Sequence, residues 1–127
     1  EYAHALGREI LENATGLNSI YKHLIISEMI FLELIGKNKK EEIERMQTKE
    51  FSKYMKALSF LPSVKRYNYA YELFVNNDKL TAGKYLGEFE KTAKTYPYAS
   101  EIESERELIL YINDIYISKI CVQNKQI

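Results

Sequence analysis

The stretch Arg66-Tyr67-Asn68-Tyr69-Ala70-Tyr71-Glu72-Leu73-Phe74 puts a tyrosine at alternate positions. Such a run reads either as a strand with one aromatic face or as a helix with aromatics on two sides. Its surroundings decide between them. Pro62-Ser63 ahead, Asn76-Asn77-Asp78 behind, and Ala70, Glu72 and Leu73 within the run favour a helix. At about 100° per residue, Tyr67, Tyr71 and Phe74 fall on one side, and Tyr69, Ala70 and Leu73 towards an adjacent one. The apparent ladder thus divides into a group that packs and a group that is available to bind.

Working outwards from this helix, the same signals recur. Ser63 is placed to cap it, and it reaches about Asn76. Asn77-Asp78 makes a tight connection to a helix from about Lys79 to Thr95, which Pro97 ends. Ser100-Glu101-Ile102-Glu103 has the pattern of a capping box at the start of a long final helix running to Cys121. There Ile102, Leu108, Ile109, Ile112, Ile115, Tyr116 and Ile120 form an apolar stripe, and Glu101, Glu105, Arg106 and Asp114 a solvated face.

Upstream, Thr48 is placed to cap a helix containing Phe51, Tyr54, Met55 and Leu58, and Lys39 to Met46 forms one polar turn or two. Asn18 or Ser19 opens a helix that is apolar nearly all round and therefore central, with Ile20, Leu24, Ser27 and Phe31 at turn spacing. Gly36 followed by Lys37-Asn38-Lys39-Lys40 stops it, with cations near the negative helix end. A short first helix runs from about Ala3 to Asn13 and breaks at Ala14-Thr15-Gly16. The expectation is an all-α fold of stacked antiparallel helical hairpins, with about five to seven helices in one domain over residues 1–127.

The totals narrow the function. A chain of 127 residues is long enough to bury about two-thirds of its unfolded surface. Eighteen basic and eighteen acidic side chains cancel, which removes the broad positive field of a nucleic-acid binder. The most apolar window, Leu24 to Ile35, contains Glu28 and Glu33 and is shorter than the ~18 to 20 apolar residues of a membrane helix. No direct membrane insertion is expected. One cysteine, Cys121, leaves no internal disulfide framework and suits a reducing, cytosolic setting. The opening Glu1-Tyr2-Ala3-His4 has no initiator methionine and no signal pattern, and reads as an excised fragment.

Chemistry is sparse. His4 and His23 are the two histidines, with no Cys-x-x-Cys and no His-Glu-x-x-His, so no metal site is expected. His23 reads as packing at a helix surface. No Gly-x-Ser-x-Gly is present, and Gly7, Gly16, Gly36, Gly83 and Gly87 are too scattered for a phosphate-cradling loop. Gly83 and Gly87, four apart within a helix, suggest close approach of another helix. The carboxylate runs Glu41-Glu42-Glu44 and Glu101-Glu103-Glu105-Glu107 lack apolar neighbours that would separate two carboxyls into acid and base. Neither catalysis nor a cofactor is expected of this chain.

The segment Ala70 to Leu86 (AYELFVNNDKLTAGKYL) resembles a tetratricopeptide repeat. Ala70 stands at that family's small first-helix position, Leu73 at its aromatic or large apolar position, and Asn77-Asp78 at its turn. Ala82 stands at the small second-helix position and Leu86 at the large apolar one. The pattern departs at Arg66, which occupies the usual tryptophan position, at Phe89, which replaces an alanine, and at Pro97, about one turn late. The resemblance covers one repeat of roughly 34 residues. It implies a right-handed α-α superhelix.

A second resemblance concerns Glu1-Tyr-Ala-His-Ala-Leu6, Ser19-Ile-Tyr-Lys-His-Leu-Ile-Ile26, and Gly36-Lys37 with the acidic residues after it. These are similar to the segment after the last membrane helix in bacterial site-2 protease-like zinc metallopeptidases. That likeness implies a cytosolic accessory tail whose catalytic residues and metal ligands lie outside this chain and whose partner is its own upstream membrane domain.

The leading expectation is a non-catalytic module that binds a protein or peptide. Stacked hairpins present first-helix side chains on an inner surface, where aromatics supply contact area at low entropic cost. Here that surface draws on Tyr67, Tyr71, Phe74 and Val75, with Lys65 and Arg66 near its rim. The alternative is that these side chains pack on the preceding helix, Phe51 to Leu58.

Overall fold

A computed structural model describes residues 19–36 and 40–125. Among these there are six α-helices and no strand: α1 (Ser19–Ile35), α2 (Lys40–Met46), α3 (Lys49–Ala57), α4 (Pro62–Phe74), α5 (Lys79–Thr95) and α6 (Ala99–Lys125). The chain divides into two compact units, one extending to Ser59 and the other beginning at Phe60. No described helix is long and apolar enough to cross a membrane. The helix expected at Ala3 to Asn13, its break, His4, and the cations Lys37 and Lys39 lie outside the described residues.

In the first unit α2 and α3 both pack on α1. Met29, Ile30, Phe31 and Leu34 of α1 are buried, as are Ile43 of α2 and Phe51 and Met55 of α3. The polar stretch before Thr48 takes two turns. Thr48 then caps α3 as its position predicts, its hydroxyl accepting from the Phe51 amide at 3.0 Å. His23 departs from expectation. It is buried, its ring stacked on Tyr54 with centroids 4.4 Å apart, and its Nδ1–H donates to the Ser19 carbonyl at 2.7 Å. The backbone carbonyl one turn earlier gives the ring a polar partner, so its other face is free to pack on aromatic surface.

In the second unit α4 and α5 form a close antiparallel hairpin, and α6 packs on α4. The four-residue connection turns through Asn77, whose φ of 50° lies in the left-handed region that asparagine tolerates. Asp78 then caps α5, accepting from the Thr81 amide at 3.0 Å and the Thr81 hydroxyl at 2.7 Å. These bonds hold its carboxyl below the usual aspartate range.

Several helix boundaries differ from those expected. Pro62 is itself the first residue of α4, capped by Leu61 without a side-chain bond, so Ser63 already lies inside the helix. Proline suits that place because its missing N–H would have no intrahelical partner. The helix stops at Phe74, with Val75 as its end cap, rather than at Asn76. Ser100 lies inside α6, which begins at Ala99, so the capping box does not form, and α6 continues past Cys121 to Lys125.

Gly83 and Gly87 are exposed, and a Cβ added at either meets open space. They mark no close helix contact among the described residues. Their cost is conformational, since glycine in a helix interior gives up more backbone freedom than alanine. Gly83→Ala is therefore expected to raise the unfolding free energy by about 0.5 to 1 kcal/mol, read as a higher urea midpoint at unchanged slope.

Candidate functional site

The helix α4 contributes to three surroundings at once. Arg66 lies in the interior, 2% exposed, and meets Glu105 of α6, itself 7% exposed. Its Nε donates to Glu105 Oε2 at 2.5 Å and its Nη2 to Oε1 at 3.4 Å, so the guanidinium fork spans the carboxylate. This corrects two expectations. Arg66 is not at a rim, and Glu105 does not belong to the solvated face of α6, because each supplies the charge that makes the other's burial tolerable. Glu101, Arg106 and Asp114 do stay exposed.

One turn on, the buried Tyr69 donates its hydroxyl to Asn113 Oδ1 of α6. Burial raises the phenol's pKa, against the opposing pull of the Asn113 bond. Ala70 and Leu73 are buried beside it. The group expected to pack is therefore buried, and Tyr69 reaches α6.

The other group separates. Tyr67 is buried and Tyr71 half-buried, their ring centroids 6.1 Å apart. Phe74 leaves this pair and meets Tyr116 of α6 edge to face at 6.1 Å. Lys65 forms an ion pair with Glu88 of α5 at 3.6 Å, and Val75, half-buried, ends the helix. Of the six residues expected to form one surface, Lys65, Arg66 and Tyr67 are thus engaged in packing or ion pairs. Tyr71, Phe74 and Val75 remain partly open.

Around Phe74 the structure assembles residues to which the sequence assigned no binding role. The Tyr116 hydroxyl donates to Asn77 Oδ1 at 2.7 Å, which ties α6 to the left-handed turn. Lys119 Nζ stands 4.7 Å from the Phe74 ring centroid and Lys79 Nζ 5.7 Å from that of Tyr116. Asn76, Asn77, Asp78, Lys79, Tyr116 and Ile120 line an open depression at this end of the unit. Neither lysine has a carboxylate partner among the described residues, and partial burial holds the Lys119 ammonium below the ordinary lysine pKa. Phe74 was visible in the sequence. Its partners lie on another helix and had no local signal.

No group of three or more histidine, cysteine, aspartate or glutamate side chains is placed to hold a metal ion among the described residues. Cys121 is an exposed free thiol. Comparison with known protein families, curated proteins and solved structures finds no match to this chain.

Two consequences follow for variants. Arg66→Met leaves the Glu105 carboxylate buried without its cation and is expected to cost about 3 to 5 kcal/mol. Arg66→Met with Glu105→Leu should recover most of that loss, both read by urea unfolding at neutral pH. For Tyr69 the folded pKa exceeds the unfolded one, so the unfolded chain loses its phenol proton first as pH rises. Stability therefore holds below the ordinary tyrosine range near about 10 and falls above it. Tyr69→Phe is expected to lose about 1 kcal/mol at neutral pH and to show a shallower alkaline decline in the same titration.

Proposed function

We propose that this chain is a non-catalytic interaction module of tetratricopeptide-like type, and that it holds a protein or peptide segment at the end of the second unit where Phe74, Tyr116, Lys79 and Lys119 converge. One observation carries the reading: two ammonium groups rest on two aromatic faces beside an open depression, and no described carboxylate neutralises either one. A cation that is partly desolvated and unmatched gains most from an anionic ligand, and the adjoining rings offer contact to an apolar side chain. The Asn77 side-chain amide adds a donor suited to a peptide's backbone carbonyl, while that of Asn76 donates to Glu72 at 3.0 Å. The ligand that fits is an extended segment with an acidic group next to an apolar residue.

The repeat-like part of the proposal is supported by the order of contacts between α4 and α6. Arg66 meets Glu105, Tyr69 meets Asn113, and Phe74 meets Tyr116, so residues advance together and the two helices run parallel with α5 between them in sequence. A first helix, a returning second helix and the next first helix have this relation in stacked hairpin repeats. Ala70 of α4 and Ala82 of α5 are both buried small residues, and the two helices pack on each other. Arg66, at the family's tryptophan position, fills its place with an ion pair.

The test is a random-peptide display selection on the full chain, followed by titration of recovered peptides. Selected sequences should be enriched in Asp or Glu next to a large apolar residue. Lys79→Glu with Lys119→Glu should weaken them by about tenfold or more at unchanged thermal stability. Recovery of no peptide, or equal binding by the double variant, overturns the proposal.

A further inference from the structure

The helices α5 and α6 each carry a second ridge that takes no part in the contacts described above. On α5 the exposed residues Leu80, Lys84, Gly87, Lys91 and Lys94 follow one another at intervals of four and three, so they line one side of the helix. On α6 the exposed residues Glu103, Glu107, Leu110, Asp114 and Ile117 do the same. The first ridge is basic with an apolar start. The second is acidic with an apolar end.

We propose that the partner of the α5 ridge is the α6 ridge of a second copy of this chain, packed antiparallel. Laid in opposite directions with Leu80 against Ile117, the two ridges bring Lys84 to Asp114, Gly87 to Leu110, Lys91 to Glu107 and Lys94 to Glu103. Each level agrees to within about one residue's rise, about 1.5 Å. Every charged position meets its opposite, and every apolar position meets an apolar residue or a glycine.

Shape follows the same register. Leu110, Tyr111 and Ile117 project from α6 with more than half of their surface in solvent, and Leu80 is 75% exposed on α5. Gly83 and Gly87 leave open space on α5, a groove into which Leu110 and Tyr111 fit when the backbones come close. Neighbouring charges do not compete, since Glu88 is paired with Lys65 and Arg106 with Glu90 inside the same copy. The contact joins two unlike surfaces. It is rich in exposed charge, so its attraction depends on ionic strength.

The experiment is sedimentation velocity of the full chain carrying Cys121→Ser, because that exposed thiol extends the α6 ridge by one more turn. Reversible association is expected between about 10 µM and about 1 mM at low salt, the range of a small polar contact, and should weaken as salt is raised. Lys91→Glu with Lys94→Glu, and separately Glu103→Lys with Glu107→Lys, should each weaken association by about tenfold or more. Mixing these two variants should restore it, because the reversed α5 ridge of one then faces the reversed α6 ridge of the other. A wild-type chain that stays monomeric throughout, reversals that associate as the wild type does, or a mixture that stays monomeric while circular dichroism shows both variants folded, overturns the proposal. The peptide site involves none of these four side chains, so its test succeeds or fails separately.

Discussion

The arrangement of the second unit depends on the buried pair between Arg66 and Glu105. A guanidinium and a carboxylate taken out of water are tolerable together and costly apart, so this contact is satisfied in few relative placements of α4 and α6. Apolar packing alone is permissive, since leucine and isoleucine surfaces slide past one another at small cost. The fork-on-carboxylate geometry is not permissive in this way, because two donors must meet two acceptors. Once Arg66 sits on Glu105, Tyr69 reaches Asn113 and Phe74 reaches Tyr116, each further along both helices. A parallel pair of helices is thus registered by polar contacts at its start and middle and by aromatic contact at its end.

That register also determines what is left at the surface. Because Tyr116 is drawn to the end of α4, its hydroxyl closes on Asn77 in the left-handed turn, and its ring stands beside Phe74 with Lys79 and Lys119 over the two faces. The aromatic surface that the tyrosine-rich helix offers is therefore not a continuous strip along α4. Tyr69 is withdrawn into the contact with α6 and Tyr67 is buried, while the end of the helix keeps a cationic, aromatic depression. The opposite sides of α5 and α6 take no part in this packing, and they carry charge in complementary order. Within one compact unit, one set of contacts makes the interior and leaves two surfaces of different chemistry.

The helices themselves could be read locally. Thr48 announces a helix start because a short oxygen-bearing side chain reaches the free amides two or three residues ahead, a constraint that involves only near neighbours, and Asp78 caps α5 in the same way. Pro62 and Pro97 mark boundaries for an equally local reason, the lost N–H and the fixed φ. Where two local signals compete, either can set the boundary. Pro62 is already suited to the first helical position and prevails over Ser63 as a cap, and α6 begins at Ala99, ahead of the capping pattern at Ser100.

What the sequence by itself determined is the helical character of the described chain, the turn at Asn77-Asp78, and the division of Tyr67, Tyr69, Tyr71 and Phe74 into sets at helical spacing, since all of these depend on residues a few positions apart. Only the tertiary structure decided which set is buried, that Arg66 belongs to the interior, that His23 stacks on Tyr54, and that Phe74 keeps company with Tyr116 and Lys119. The physical reason is that a charge or a ring has no preference for inside or outside until its partner is placed. Glu105 lies 39 residues from Arg66, and nothing in the spacing around either residue announces the other. An acidic residue in a run of glutamates looks solvated until a guanidinium arrives to bury it.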